Sequence, residues 1–122
     1  MNRQQIWAKE ALERVQGARR SSAAGKYKSA CMRGPSLIRQ AGAVQGLSFL
    51  LAKSHTRAFA EDVAAIYSKT GESDFDGAAL LNAAMERDVA RYLALTRDLL
   101  EIACWLRRMA QIELSDIKEE EE

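Results

Sequence analysis

Apolar residues recur every three to four positions along most of the chain, the spacing that places one face of an α-helix against a core. The first such segment runs from residue 3 to about residue 20, with Trp7 and Val15 on its apolar face and basic residues between them. Residues 21–25 are small or polar and interrupt the pattern. The pattern therefore predicts an amphipathic first helix that ends before a short break.

A second, shorter helix is predicted from Lys26 to about Arg33. Gly34-Pro35 follows it, and because glycine favours the end of a helix and proline favours the first turn of one, this pair is expected to separate two helices. The next helix, residues 35–53, is expected to be the buried and least exposed central helix, because apolar residues nearly encircle it. They are Leu37, Ile38, Ala41, Val44, Leu47, Phe49, Leu50 and Leu51.

The second half of the chain predicts a helix from residue 54 or 56 to residue 68, followed by a loop over residues 70–74. Ser73, followed three residues later by Asp76, resembles a capping box that opens a further helix. A last helix carries apolar residues from Val89 to Met109, and the pattern does not decide whether the preceding helix runs into it unbroken. Lys118 and the four glutamates after it are interpreted as a solvated tail.

The composition favours a single helical domain. The chain has 122 residues, 48% hydrophobic and 29% charged, which is an ordinary balance for one folded domain. It contains one proline, few β-branched residues and no hairpin signature, so it offers little material for a sheet. We therefore expect an all-α, compact single-domain bundle of five to six helices over residues 1–113, followed by an acidic C-terminal tail over residues 114–122.

The potential metal ligands and cysteines are few. Cys31, Cys104 and the only histidine, His55, cannot supply the four ligands of a structural zinc site, so no metal and no cofactor are expected. Two cysteines also do not form the disulfide framework of a secreted protein, which favours a reducing cytoplasm. No apolar run approaches the roughly 18 residues that span a bilayer, so no membrane association is expected.

The two halves of the chain carry opposite charge. Residues 1–57 hold eleven Lys or Arg against two acids, a formal charge of +9, whereas residues 58–122 hold seven against fifteen, a charge of −8. No carboxylate occurs in the 47 residues between Glu13 and Glu61. Such a segment attracts polyanions, and the phosphate backbone of nucleic acid is the commonest cytoplasmic polyanion with a repeating charge. The candidates for contact with such a backbone are Arg14, Arg19, Arg20, Lys26, Lys28, Arg33, Arg39 and Lys53.

Another interpretation of the charge pattern is that acids of the second half fold over the basic segment. The product would be a dipolar protein whose ends dock on neighbouring copies. The two interpretations are compatible, because a dipolar subunit can stack head to tail and still present a basic flank.

No catalytic pattern is present in the sequence. His55 lies between Ser54 and Thr56 at a predicted helix start, where an exposed or capping role is expected rather than a general-base role. Asp74-Phe75-Asp76-Gly77 imitates part of a calcium loop, but the position of its bidentate glutamate is occupied by Ala83. The chain is therefore predicted not to be an enzyme.

Gly42 and Gly46 lie one helical turn apart in the predicted central helix. The simpler interpretation of this spacing is close approach by another helix of the protein. Close approach by a nucleic-acid backbone is the second.

Three segments, in this order and spacing, resemble the small subunit of the type III-B CRISPR effector, the Cmr complex. The first is Gln5–Ala11, the second is Pro35–Gly42 leading into Gln45–Leu50, and the third is Tyr92–Arg97 followed by Ala103–Arg108. The three segments span most of residues 3–110, and the second is the most specific.

The resemblance implies a small, non-catalytic, all-helical subunit of an RNA-guided antiviral complex. Its partners would be the backbone and large subunits, further copies of itself stacked along the filament, and the guide and target RNA. Arg39 is the basic residue that best matches the family by position. A function from a different class is a helical protein-interaction adaptor without RNA contact, in which the charge asymmetry serves subunit docking only.

Overall fold

The computed structural model of the protein describes residues 1–121, and Glu122 of the predicted acidic tail lies outside them. Within the described residues the chain forms helices only, packed as a bundle, which confirms the predicted all-α fold. The five helices are α1 (Arg3–Arg19), α2 (Ala24–Leu51), α3 (Ser54–Ser68), α4 (Gly77–Glu86) and α5 (Val89–Glu113).

The first helix begins as its sequence predicts. The side chain of Asn2 accepts a hydrogen bond from the Gln5 backbone N–H at 2.9 Å, and the Gln5 side chain accepts one from the Asn2 backbone N–H at 2.8 Å. This reciprocal capping satisfies two N–H groups that a helix start otherwise leaves without partners. Further along α1, Trp7 is fully buried, and its indole N–H donates to the Thr70 hydroxyl at 2.9 Å.

The prediction that Gly34-Pro35 separates two helices is wrong, because α2 continues through both residues. Gly34 lies against the ring of Phe59, where a Cβ atom would collide with the ring, so this glycine provides close packing rather than a helix end. Pro35 lacks an N–H and costs α2 one hydrogen bond, and both residues are buried in the bundle.

The break in α2 occurs at Gly42 instead. This residue has φ +81° and ψ 177°, a backbone conformation that is essentially restricted to glycine. The backbone N–H groups just after the break are satisfied by α5: Ala43 donates to the Thr96 hydroxyl at 3.2 Å and Val44 to the Tyr92 hydroxyl at 3.1 Å. Two side chains of α5 thus cap the second half of α2.

The predicted helix over residues 54–68 is confirmed as α3, but the predicted Ser73 capping box is wrong. Asp76 is itself the N-cap of α4, and its carboxylate accepts the Ala79 N–H at 2.8 Å. The Gly77 N–H donates to the carboxylate of Glu61 on α3. Helix α4 ends at Glu86 and is separate from α5, which decides the question that the pattern left open.

Helix α2 contacts all four other helices, in agreement with its predicted central position. The prediction that residues 35–53 are the least exposed helix is wrong: eight of these 19 residues are exposed, against three of the 15 residues of α3. The prediction that apolar residues of this segment are buried all around is wrong for Phe49, whose side chain is 55% exposed. The largest fully buried side chains come from all five helices and from Leu114, which follows α5. They are Trp7, Phe59, Ile38, Leu47, Leu50, Ile66, Leu80, Leu95, Leu99, Ile102, Leu106 and Leu114.

Candidate functional site

The eight basic residues that the sequence predicts as RNA contacts divide into two groups in the structure. Four of them bind other groups of the chain: Arg14, Arg19, Lys28 and Arg33. The other four form no salt bridge to any carboxylate of residues 1–121: Arg20, Lys26, Arg39 and Lys53. We call these four the open basic residues.

Arg14 belongs to a partly buried polar cluster between α1, α2 and α3. Its guanidinium lies 3.5 Å from the carboxylate of Asp62, which also accepts a hydrogen bond from the Tyr27 hydroxyl. Burial raises the pKa of Asp62, while the Tyr27 hydrogen bond and the Arg14 charge act in the opposite direction. Cys31 is fully buried beside this cluster, and burial raises the pKa of its thiol, so this cysteine packs as a small hydrophobe. Arg14 therefore joins α1 to α3 within the bundle through its contact with Asp62.

His55 lines a groove of about 510 Å³ beside this cluster, together with Glu13 and Asp62. His55 is the second residue of α3, as the sequence predicts. Within residues 1–121, no three His, Cys, Asp or Glu side chains are grouped so as to hold a metal ion.

Arg19, Lys28 and Arg33 contact the segment that follows α5. Both terminal nitrogens of Arg19 donate to the Asp116 carboxylate at 2.7 Å, and one also donates to the Glu113 carbonyl oxygen at 2.8 Å. The Lys28 ammonium donates to the carbonyl oxygen of Ile117 at 2.8 Å. Arg33 lies 3.5 Å from the Glu121 carboxylate. Residues 118–121 are exposed to solvent, as predicted, and they also contact the bundle.

Arg39 lines a groove of about 360 Å³ between α2 and α5. Arg108 and Trp105 line the same groove, and the Arg108 guanidinium lies 5.1 Å from the centre of the Trp105 ring. The Trp105 indole N–H donates to the Gln4 side chain at 2.6 Å, which fixes the ring at the edge of the groove. Gln4 of α1 and the carboxylate of Glu101 also line the groove, and the Gln4 amide donates to that carboxylate at 2.6 Å. The two guanidinium groups and the indole can bind a phosphate and stack a planar group beside it.

Arg108 is not among the eight basic residues that the charge pattern predicts as contacts. The count of charge by halves excluded it, since α5 belongs to the acidic half. The signal that could have found it is the Arg107-Arg108 pair at the end of the third recognised segment, because a chain reversal brings that segment beside the second.

The two charge halves do meet within the chain. Arg3 pairs with Asp98, Arg14 with Asp62, Arg19 with Asp116 and Arg33 with Glu121, each pair joining the basic half to the acidic half. This is the neutralisation that the second interpretation of the charge pattern expects. The four open basic residues take no part in this pairing. None of the described helices is long and apolar enough to cross a bilayer.

The fold is that of a small all-helical bundle protein. Residues 3–113 match the family described as CRISPR-associated protein (Cas_Cmr5). The CRISPR system Cmr subunit Cmr5 of Thermus thermophilus is 35% identical over 111 residues, which cover 89% of this chain and 93% of that protein. The chain belongs to the Cmr5 family.

A solved structure supports the same assignment. The crystal structure of a CRISPR-associated Cmr5 family protein, also from Thermus thermophilus, is similar to this chain, with a TM-score of 0.85 and 33% sequence identity. The similarity covers 93% of this chain and 98% of that one. The resemblance found in the three sequence segments is therefore confirmed.

Proposed function

We propose that the chain is a non-catalytic small subunit of a type III-B CRISPR effector complex that contacts the backbone of the guide or target RNA. Membership of the Cmr5 family supports the complex. The single observation that supports RNA contact is the stretch of 47 residues without a carboxylate, in which six of the nine basic side chains, the four open basic residues among them, form no salt bridge to a carboxylate of residues 1–121.

The open basic residues would bind phosphates rather than read bases. Arg20, Arg39 and Lys53 are exposed, and Lys26 is partly so. Contacts between such side chains and phosphates give affinity and register without sequence preference. In the groove beside Arg39, Arg108 would add a second cation, and Trp105 offers a surface on which a base can stack.

Contacts with other subunits account for a different part of the surface. Val89 and Leu93 lie one turn apart at the start of α5 and are 76% and 57% exposed. Phe49 on α2 and Met85 on α4 are also exposed by more than half. Large apolar side chains left in solvent mark protein-binding surfaces when they cluster, so these residues are candidates for contact with further copies or with the backbone and large subunits.

The exposed apolar residues and the internal ion pairs also favour a second candidate function, a protein-interaction adaptor without RNA contact. In that case the open basic residues dock on acidic protein surfaces. A charge-reversal experiment distinguishes the two.

The experiment uses the effector assembled with its other subunits and guide RNA. One variant carries Arg39→Glu and Lys53→Glu, and the matched control carries Lys69→Glu and Arg91→Glu, which are exposed residues of the acidic half. Both variants undergo the same change in charge. We expect both to enter the complex and only the first to weaken binding of unrelated target RNAs, by about equal factors for each RNA. Failure of the first variant to assemble, or equal RNA affinity in the two variants, would support the adaptor instead.

A further inference from the structure

The predicted C-terminal tail begins one residue later than expected, because Leu114 is fully buried in the core. Its described part, residues 115–121, which we call the acidic tail, lies against the first turns of α2. The tail is attached along its length: Asp116 binds Arg19, the Ile117 carbonyl oxygen accepts from Lys28, and Glu121 pairs with Arg33. The Glu120 backbone N–H also donates to the Gly25 carbonyl oxygen at 3.1 Å. These contacts involve both side chains and backbone, so the tail has a defined position on the helix.

The start of α2 has a surface that fits the tail. A Cβ atom at Gly25 would lie 2.5 Å from the Lys118 carbonyl oxygen and 2.7 Å from a Glu120 carboxylate oxygen, so only glycine permits this approach. Ser29 lies one turn further along the same side of α2 and is only 2% exposed. The contact is thus a close backbone packing as well as an attraction between charges.

The tail presents an anionic strand to the residues that were selected as RNA contacts. Asp116, Glu119, Glu120 and Glu121 provide carboxylates along the tail. Arg19 holds Asp116 through two parallel N–H···O bonds, the geometry with which arginine also holds a phosphate. Three of the eight predicted contacts, Arg19, Lys28 and Arg33, are therefore occupied by the chain itself.

We propose that the acidic tail is an intramolecular competitor of RNA, occupying Arg19, Lys28 and Arg33 until a polyanion displaces it. This inference rests on the proposed RNA contact and adds a regulatory element to it. Each ion pair with an exposed partner is weak on its own, so a strand with many phosphates can replace the tail. The tail lies beyond residues 3–113, the part of the chain that matches the family model.

The test compares two triple variants of the full chain with equal change in charge. The tail variant carries Asp116→Asn, Glu120→Gln and Glu121→Gln, which removes the carboxylates that pair with Arg19 and Arg33, and the control carries Glu72→Gln, Asp74→Asn and Glu86→Gln, all at exposed positions. Binding of a single-stranded oligouridylate of about 20 nucleotides is measured by NMR titration at about 50 mM salt. We expect the tail variant to bind about threefold more tightly than the control, or better, because only it releases Arg19 and Arg33.

The Glu120 amide gives an independent readout in the unmodified chain. If RNA displaces the tail, the signal of this amide shifts on titration and its hydrogen exchange becomes faster. Equal affinities of the two variants, or a Glu120 amide that RNA leaves unchanged at saturation, would overturn the inference while leaving RNA contact intact. Absence of RNA binding by the chain and by both variants would instead contradict the proposed function, and the inference with it.

Discussion

The hydroxyl of Tyr92 on α5 accepts the backbone N–H of Val44 on α2 at 3.1 Å, and it stands 2.8 Å from the position that a Cβ atom would occupy on Gly42. A glycine with positive φ breaks α2, and the tyrosine occupies the space that the missing side chain leaves. Gly42 closes the first part of the second recognised segment, and Tyr92 opens the third. The resemblance to the family is thus carried in part by the residues that build this junction.

Replacement of Gly42 by alanine should destabilise the protein by about 1–3 kcal/mol, because its backbone conformation is strained for any residue with a side chain. The added Cβ would also press on the Tyr92 hydroxyl. Urea unfolding followed by circular dichroism measures the effect. Gly17→Ala is the control: it lies in α1 with open space around its Cβ position, so alanine should stabilise the chain by about 0.5–1 kcal/mol. If both substitutions changed the free energy of unfolding in the same direction, the assignment of the kink to Gly42 would be contradicted.

Replacement of Leu47 by aspartate should cost more than about 2 kcal/mol of unfolding free energy, because it places a charge without a partner in the core. Leu47 is fully buried, whereas Phe49, two residues further along α2, is 55% exposed. Phe49→Asp should therefore melt within a few degrees of the unmodified chain in a thermal scan. Equal melting of the two variants would refute the orientation of α2.

The contact between Arg19 and Asp116 should weaken in acid. The hydrogen bond from Arg19 lowers the pKa of Asp116 from 3.8 to about 2. Because the folded value lies below the unfolded one, the stabilisation is complete above about pH 4 and disappears as the pH falls through 2. An NMR titration of the Asp116 carboxyl measures this pKa in the unmodified chain and in Arg19→Gln. The variant should return the pKa towards 3.8, and an unchanged low value would show that Arg19 is not its cause.

Most of the fold could be predicted from the sequence, because helices α1, α3 and α5 follow from regular apolar spacing. The position of the break in α2 could not. Gly34-Pro35 has the local features of a boundary, but contact with Phe59 keeps it helical, and the break at Gly42 depends on partners about fifty residues away on α5. Local propensity cannot include such tertiary partners.

The candidate site, like the fold, could be predicted only in part from the sequence. The charge count found Arg39 and the three other open basic residues, but it could not tell them from Arg19, Lys28 and Arg33, whose partners lie in the tail. It also missed Arg108, which the packing of α5 on α2 places in the groove beside Arg39. The sequence gives the sign of the net charge of a segment, whereas the ion pairs that its side chains form depend on the folded structure.

The salt dependence of RNA binding tests the central claim most directly. In the assembled complex, Arg20, Lys26, Arg39 and Lys53 are all replaced by glutamine, and target RNA affinity is measured over a range of salt concentrations. Each phosphate that the variant no longer neutralises should reduce the slope of log affinity against log salt by about 0.7 for a single strand. Our account predicts a shallower slope, by about 2 to 3 for each copy in which all four residues bind phosphate, for RNAs of unrelated sequence. An unchanged slope, with the variant fully incorporated, would contradict it.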